Sequence, residues 1–380
     1  MSKLDYSVMI VGAGPAGLST WIHLCGGNLS LARDAVLIER ESLPRDKLCG
    51  GGITHRGDTV LARLGLELNV PSILIREAEL RFEKGSVRIV REEGLFRIVN
   101  RYEFDFALAS AARKRGLSLR ERESIVDYDC THEAINVRTT AGQYRVGVLV
   151  GADGANSIVR SKLLRDRGRG ICRLIEAIQT ASGQELDQAR SVLFDFSHVR
   201  ESLQGYVWKF PCKREGANCS NYGIFDSRVR KERQLASLSG IFAGALKARG
   251  LIDDKCLWNS HPIRWFRTRE LFSAPRVLLV GDAAGVDPLL GEGISFALQY
   301  GELAATEILR AFKLHDFSFS SYRKHLLKHP VGKGLSLRSA VARLLYSRWS
   351  PLLMDITRKT LALRVAGKSY LQNYLQGVLE

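Results

Sequence analysis

The chain has 380 residues, of which 45% are hydrophobic and 25% are charged, and this composition is ordinary for a folded protein of two or more domains. It contains no apolar run of about 18 residues free of glycine and charge, and its N-terminus lacks a signal-peptide pattern, so the sequence predicts a cytoplasmic protein without a transmembrane span. The seven cysteines form no C-x-x-C pair, so neither a metal site nor a disulfide framework is expected.

The first predicted elements are a strand and a helix joined by a glycine-rich turn. Residues 8–11 are apolar, and Gly12, Gly14 and Gly17 follow them in the pattern G-x-G-x-x-G. Such glycines permit a tight turn, let a pyrophosphate approach the backbone and let the helix pack closely on its strand. A second apolar strand, residues 35–38, ends at Glu39, about 20 residues after Gly17, where an acidic side chain binds an adenosine ribose. The sequence therefore predicts a Rossmann-like dinucleotide site.

The middle of the chain predicts a second, strand-rich domain. Three consecutive glycines at positions 50–52 favour a loop whose backbone passes close to another group. Residues 72–99 alternate apolar and polar positions, which indicates half-buried antiparallel strands. A helix from about residue 104 to 115 and further strands up to residue 150 lead to a second glycine–acid turn at residues 151–154. Residues 170–265 are again strand-rich, with one helix predicted near 228–249.

A third core strand, residues 276–280, ends at Gly281-Asp282, and a long helix is predicted from Ile294 to about Phe312. The expected fold class is α/β, with a Rossmann-like dinucleotide-binding domain, a second antiparallel-sheet substrate domain and a helical C-terminal region. We assign residues 1–58, 98–160 and 272–312 to the first, residues 59–97 and 161–271 to the second, and residues 313–380 to the third.

Three glycine–acid turns at strand ends, together with Arg101 and the following Phe104-Asp105, resemble the flavoprotein family that includes para-hydroxybenzoate hydroxylase. The resemblance covers residue 6 to about residue 312 and implies FAD as cofactor. It implies that Arg101 reaches the pyrophosphate, that the backbone of Val126 contacts adenine, and that Asp282 binds the ribityl or pyrophosphate end. The full set of implied cofactor-binding residues is Gly12, Gly14, Ala16, Gly17, Glu39, Arg40, Cys49, Gly50, Arg101, Val126, Asp282, Gly293 and Ile294.

Two segments are similar to the geranylgeranyl reductase branch of that family. Residues 44–52 match its P-x-x-K-x-C-G-G loop, and residues 206–211 match its Y-x-W-x-F-P strand. The resemblance implies that Cys49 and Gly50 lie against the isoalloxazine and that Tyr206, Trp208 and Phe210 line a pocket for a prenyl or similar apolar substrate. Cys49 or Tyr206 would orient or supply a proton while reduced flavin donates a hydride. The structural alternatives are that Cys49 is a small residue in a tight loop and Trp208 a packed core residue.

Other reactions share this cofactor fold. The strand at residues 206–211 overlaps the W-x-W-x-I-P signature of flavin-dependent halogenases, but the P-x-I-G-E loop of those enzymes is absent. An aromatic monooxygenase, a quinone oxidoreductase and a non-catalytic flavin-binding regulator are further alternatives. Only one dinucleotide fingerprint occurs, so NADPH would bind transiently as electron donor, and reduced ferredoxin is an equal candidate.

The formal net charge is +16, and its largest concentration lies between Arg310 and Glu380. No nucleic-acid recognition motif accompanies this charge, so nucleic acid is not an expected partner. Apolar residues recur there at helical spacing beside cations, which favours either a packed helical cap or peripheral association with an anionic membrane at its inner face. The expected stripe consists of Leu335, Ala342, Leu345 and Trp349, beside Lys333, Arg338, Arg343 and Arg348.

Overall fold

The computed structural model describes residues 3–164, 170–180, 190–214, 216–251 and 258–379, with side chains up to residue 367 in the last helix. The strands among these residues are, in chain order, β1 (Tyr6–Val11), β2 (Ala35–Glu39), β3 (Gly52–Thr54), β4 (Ser72–Ile75), β5 (Glu77–Phe82), β6 (Gly85–Val90), β7 (Phe96–Val99), β8 (Ser118–Glu121), β9 (Ile125–Cys130), β10 (Ile135–Thr139), β11 (Gln143–Gly151), β12 (Ile171–Thr180), β13 (Ser191–Asp195), β14 (Gly205–Arg214), β15 (Ala217–Asp226), β16 (Asn259–Arg264), β17 (Ser273–Ala274) and β18 (Val277–Leu279).

The helices are, in the same order, α1 (Pro15–Gly27), α2 (Leu29–Arg33), α3 (His55–Arg63), α4 (Arg101–Lys114), α5 (Ile158–Leu164), α6 (Leu238–Lys247), α7 (Ile294–Leu314), α8 (Tyr322–Lys328), α9 (Pro330–Leu345) and α10 (Ser350–Leu379). The chain divides into a first unit, Met1–Pro71, Val99–Cys172 and Pro262–Ala340, and a second unit, Ser72–Ile98, Arg173–His261 and Val341–Glu380. The assignment of FAD and substrate to separate domains stays a proposal.

The first unit is built on an eight-stranded sheet with the path β17-β18-β11-β1-β2-β8, to which β9 and β10 are added beside β11. The five strands β18, β11, β1, β2 and β8 are parallel. Strand β2 and the last four residues of β1 are buried, as expected for parallel strands covered on both faces. Helices α1 and α7 pack together closely: a Cβ atom on Gly301 would lie 2.5 Å from the Cβ atom of Ser19. The predicted α/β class is confirmed.

The second unit contains a seven-stranded sheet in the order β16-β12-β15-β14-β13-β5-β6. Its pairs are antiparallel in β12–β15–β14–β13 and β5–β6, while β13 and β5 run parallel. Successive side chains of a strand point to opposite faces of the sheet. One face therefore carries Val207, Tyr222 and Ile224, which form a buried cluster with Phe242 of α6. The other face carries Tyr206, Trp208 and Phe210.

Helix α6 is shorter than the helix predicted near 228–249. Arg228 has a left-handed φ of 53°, and the side chain of Gln204 binds both backbone groups of Arg230. The Gln204 amide donates to the Arg230 carbonyl at 2.9 Å and accepts from its N–H at 2.8 Å. Because those groups are taken by a side chain, the backbone there does not continue as a helix.

The C-terminal region is helical, as predicted, and the expected stripe is divided between the interior and the surface. Leu335 and Ala342 are fully buried, whereas Trp349 is 57% exposed. Arg338 turns inward, because it forms ion pairs with Asp287 and, at 2.8 Å, with Glu292. In the part of the chain that the structure describes, no helix is long and apolar enough to cross a bilayer.

Candidate functional site

The ends of four parallel strands lie side by side in the first unit. Val11 pairs with Ile38 on one side and with Gly151 on the other, and Gly151 pairs with Leu279. The turns that follow these strands therefore leave the sheet along one edge. This is the edge at which open α/β sheets bind their ligands, so the three predicted glycine–acid turns are brought together.

The first turn fits tightly around its glycines. Gly12 has a φ of +106°, and a Cβ atom there would lie 2.5 Å from the Ala152 carbonyl oxygen. A Cβ atom on Gly17 would lie 2.0 Å from the carbonyl oxygen of Gly12. Gly14 is different, because the nearest atom to its Cβ position is Arg45 Nη2 at 4.0 Å. Gly12 and Gly17 thus serve the fold, and Gly14 leaves open space at the strand ends.

The third turn meets the first at the start of α1. A Cβ atom on Gly281 would lie 2.7 Å from the Cβ atom of Ala16, and one on Gly293 would lie 3.8 Å from Asp282 Oδ1. Ala16, Asp282, Gly293 and Ile294 are therefore grouped at the same edge. Asp153, the acid of the second turn, stabilises the start of α5, because its carboxylate accepts from the N–H of Ile158 at 2.8 Å.

Glu39 lies buried where β2 ends. Its Oε2 accepts from the N–H of Ala13 at 2.8 Å and pairs with Arg45 at 3.5 Å, and its Oε1 accepts from the N–H of Glu41. The carboxylate thus joins the end of β2 to the first turn. The adjacent Arg40 points into solvent and lies 3.6 Å from Glu41. Glu39 is therefore buried at the strand ends, whereas the next residue, Arg40, is exposed to solvent.

A buried ion-pair network lies next to this turn. Arg101 donates from Nε and Nη2 to the two oxygens of Asp105, each at 2.7 Å, and Arg45 Nη1 lies 3.2 Å from the same carboxylate. Cys49 is among the groups that raise the pKa of Arg101, after Asp105. The sulfur of Cys49 accepts from the N–H of Gly51 at 3.4 Å. Burial opposes the charge of Arg101, yet Asp105 and these bonds raise its pKa, so the guanidinium stays charged.

Lys47 belongs to the same cluster. Loss of solvation lowers the pKa of Lys47 to about 8, against the opposing attraction of Asp282. Loss of solvation likewise raises the pKa of Asp282, against the charges of Lys47, Arg101 and Arg264. Arg45 and Lys47 were not predicted as site residues from the sequence, although both lie in the loop that carries the family resemblance. The Arg101–Asp105 pair had a local signal, since opposite charges four residues apart meet on a helix.

These residues fit a dinucleotide cofactor. Among the described residues, no side chain caps the N-terminus of α1 at Gly14 or that of α7 at Gly293. Uncapped helix N-termini present N–H groups and a partial positive charge to an anion. The open position of Gly14 and the guanidinium of Arg101 add room and charge at the same edge. Gly50 lies in the neighbouring loop, while Val126 is 41% exposed on β9, and its adenine contact stays a prediction.

The predicted substrate residues are brought together on one face of the second unit's sheet. Tyr206, Trp208 and Phe210 alternate along β14, and all three are buried. The ring of Phe194 lies 5.2 Å from that of Tyr206 and 5.1 Å from that of Phe210. Phe96, Phe196 and Phe225 extend this aromatic face. Their role with a substrate stays a prediction.

Trp208 is fixed by residues that the sequence did not point out. It pairs across the strands with Gly223, and a Cβ atom on that glycine would lie only 2.0 Å from the indole ring. The indole N–H donates to Asn221 Oδ1 at 2.8 Å, and Asn221 Nδ2 lies 3.5 Å from Glu176. The ring therefore lies over the glycine and is held by a buried amide.

A cavity of about 500 Å³ lies on the opposite face of this sheet, beside α6. Its lining includes Glu79, Arg81, Asp195, Lys209 and Arg249. None of the three predicted substrate residues lines it. Its charged lining differs in chemistry from the aromatic face.

Comparisons with known proteins show the family and the fold of the chain. The FAD binding domain family matches residues 5–312. A menaquinone reductase of Mycolicibacterium smegmatis is 28% identical over 95% of this chain and 91% of its own length. The crystal structure of a geranylgeranyl bacteriochlorophyll reductase-like protein from Thermoplasma acidophilum is 20% identical, with a TM-score of 0.77 over 94% of this chain and 91% of that one. The crystal structure of a variant of the halogenase PltM in complex with FAD is 16% identical, with a TM-score of 0.68 over 90% of this chain and 76% of that one.

Proposed function

This chain belongs to the FAD binding domain family, and from that premise we propose that it is a reductase of carbon–carbon double bonds in a prenyl chain or a similar apolar substrate. The observation that carries the proposal is the loop at residues 44–52. Its Lys47 and Cys49 lie in one cluster with Arg101 and Asp282, at the edge where the cofactor-binding turns meet. The menaquinone reductase relative supports the proposal, because menaquinone itself carries a prenyl chain.

Within this proposal, the glycine turn and Glu39 hold the ADP half of FAD, with Arg40 and Val126 at its outer end. Arg101 takes a phosphate, and Asp282 takes the ribityl or pyrophosphate end. Gly293 and Ile294, at the start of α7, would offer backbone N–H groups to the flavin, and Cys49 and Gly50 would hold it from the loop at residues 44–52. Reduced FAD, when bound, supplies a hydride for one alkene carbon, and a proton must reach the neighbouring carbon.

The chain supplies that proton and a dry surface. We assign the proton to the thiol of Cys49, whose sulfur accepts from the N–H of Gly51 at 3.4 Å, or to the phenol of Tyr206. An isolated alkene has no carbonyl to polarise, so alignment and exclusion of water carry the reaction. Trp208, Tyr206 and Phe210 offer a rigid apolar surface for this purpose.

A second candidate is a flavin-dependent halogenase or aromatic monooxygenase. The observation in its favour is the similarity of fold to the halogenase PltM.

The electron donor of the proposed reductase is NADPH or reduced ferredoxin. The expected location of the protein is the cytoplasm.

Oxygen separates the two candidates. The chemically reduced, FAD-loaded protein is incubated without air with a short polyprenyl alcohol, and flavin absorbance and product mass are followed. We expect flavin reoxidation and two added mass units for each bond reduced. Turnover that requires air, or halide, would overturn the reductase proposal.

Cys49 gives a sharper form of the same experiment. If its thiol supplies the proton, Cys49→Ala slows anaerobic reoxidation by about 10²- to 10⁴-fold, the usual contribution of a positioned acid. Cys25→Ala is the matched control, because Cys25 is another partly buried free thiol, on α1. A Cys49→Ala protein that keeps the full rate would move the proton to Tyr206, which Tyr206→Phe then tests.

A further inference from the structure

The second unit carries an exposed apolar stripe on α10, whose three helical residues lie outside the predicted C-terminal stripe. Leu352, Ile356 and Leu363 lie on one face of α10 and are 57%, 49% and 74% exposed. Their spacing of four and seven residues places them on one side of a helix. Trp349 precedes them by one turn, and its carbonyl already accepts the helical bond from the N–H of Leu353 at 3.0 Å. We call these four residues and the cations beside them the C-terminal face.

The inner side of α10 explains why this face points outward. Met354 is buried, and the helix packs against β5, β6 and the 3-10 helix Ser197–Glu201 of the same unit. Arg358 turns toward that side, since it pairs with Asp355 at 2.8 Å and its guanidinium lies 4.0 Å from the Cβ position of Gly85. The apolar residues of the C-terminal face therefore lie on the side of α10 that faces away from these packing contacts.

The charges beside the stripe are cations. Arg348, Lys359 and Arg364 are exposed there, and Lys359 occupies the same helical side as Ile356 and Leu363. The guanidinium of Arg348 lies 5.2 Å from the centre of the Trp349 ring. The acid of this segment, Asp355, is paired with Arg358 and, at 3.2 Å, with Lys359. The face thus combines apolar side chains and a tryptophan with an excess of cations over acids: residues 348–364 contain four cationic side chains and one acid.

We infer that the C-terminal face is a docking surface for an anionic lipid bilayer. Apolar residues of an interfacial helix enter the boundary between head groups and acyl chains, tryptophan favours that depth, and nearby cations attract anionic lipid. A second copy of this chain fits less well, because a two-fold interface places the face against itself and brings cation against cation. The inference goes beyond the proposed reaction and does not use it.

The test is co-sedimentation of the full-length protein with vesicles of phosphatidylcholine alone or with one third phosphatidylglycerol, at low and high salt. We expect binding to the anionic vesicles at low salt and release at high salt, since salt screens the attraction. Replacing Arg348, Lys359 and Arg364 with Gln lowers the partition coefficient about fivefold for each charge removed. Trp349→Gln, Leu352→Gln and Ile356→Gln together lower it by about tenfold or more, because binding scales with the apolar area inserted.

The matched control is Leu235→Gln with Leu271→Gln, which removes apolar side chains that are 57% and 58% exposed elsewhere. These variants should bind vesicles like the unchanged protein. Equal binding to both vesicle types, or unchanged binding by both sets of C-terminal variants, overturns the inference. A dimer in sedimentation equilibrium that the Trp349→Gln set dissociates would assign the face to a second copy instead.

The reaction is measured separately on a short, water-soluble prenyl substrate without vesicles. The C-terminal variants should keep that rate. A protein that binds anionic vesicles but reduces no alkene would contradict the proposed function and leave the docking surface standing.

Discussion

The strand-end edge of the first unit and the aromatic face of the second are built by different rules. The edge depends on close contacts of the backbone. A Cβ atom at Gly12 or Gly17 would lie 2.5 or 2.0 Å from a main-chain oxygen, so both positions require glycine. The aromatic face depends on side chains from strands far apart in the chain, such as Phe96 on β7 and Phe210 on β14, whose ring centres lie 6.4 Å apart. The comparison teaches that close backbone contacts between turns shape the strand-end edge, whereas strand register positions the aromatic face.

The largest effect is expected from the backbone of the first unit. Gly17→Ala places a methyl group 2.0 Å from the Gly12 carbonyl oxygen, so α1 cannot keep its place on β1 and little folded protein is expected. Gly14→Ala is the matched variant, since the nearest atom is the end of a flexible arginine at 4.0 Å. It should fold and lose FAD, as seen by circular dichroism and by flavin absorbance after gel filtration. Equal behaviour of the two variants would remove the distinction between fold glycine and cofactor glycine.

A moderate effect is expected from the second unit. Gly223→Ala places a methyl group in the indole ring of Trp208 and should lower the melting temperature, while FAD retention, which depends on the first unit, is kept. Adding Trp208→Leu removes the clash and should restore part of the lost stability. Failure of this rescue would show that the glycine matters for a reason other than the indole. The measurement is thermal unfolding of single and double variants, with bound flavin quantified.

The smallest effect is expected from the charge of Lys47. Its pKa is lowered to about 8 in the folded protein, below its ordinary value, so the charged form costs folding stability below pH 8, and this cost fades as the pH rises toward the ordinary value. Lys47→Met should therefore raise the melting temperature of FAD-free protein at pH 7 by a few degrees. The gain should shrink at higher pH. A gain that is constant with pH would show that it comes from packing rather than from charge.

The affinity for FAD should depend on pH in the opposite direction to folding stability. A protonated Lys47 attracts the anionic cofactor, so affinity should fall by about tenfold as the pH rises through 8, and Lys47→Met should lack this dependence. Lys84→Met, an exposed lysine in the second unit, is the control and should retain it. Fluorimetric titration with FAD at several pH values measures the effect.

The sequence predicted the first region better than the second for a physical reason. Gly12, Gly14, Gly17 and Glu39 obey spacing rules within one continuous segment that runs from β1 through α1 to the end of β2, and the structure brings them to one edge. The Trp208–Gly223–Asn221 arrangement depends on the register of β14 and β15, which no local pattern specifies.

The C-terminal helices show the same limit. Helical spacing identified Leu335 and Ala342 as one stripe but did not say which side of the helix is buried. That choice is made by tertiary partners such as Asp287 and Glu292, which draw Arg338 inward. Periodicity therefore predicts which residues share one face of a helix. The contacts of that helix with the rest of the fold decide which face is buried.

The stacking of Trp208 on Gly223 also has a meaning for protein engineering. The indole and the missing side chain fill a single volume, so the two positions can change only together: a smaller residue at 208 creates space that a larger residue at 223 can take up. A designer who wants to reshape this aromatic surface without loosening the sheet has a paired library to build at these two sites, with Asn221 kept to receive the indole N–H.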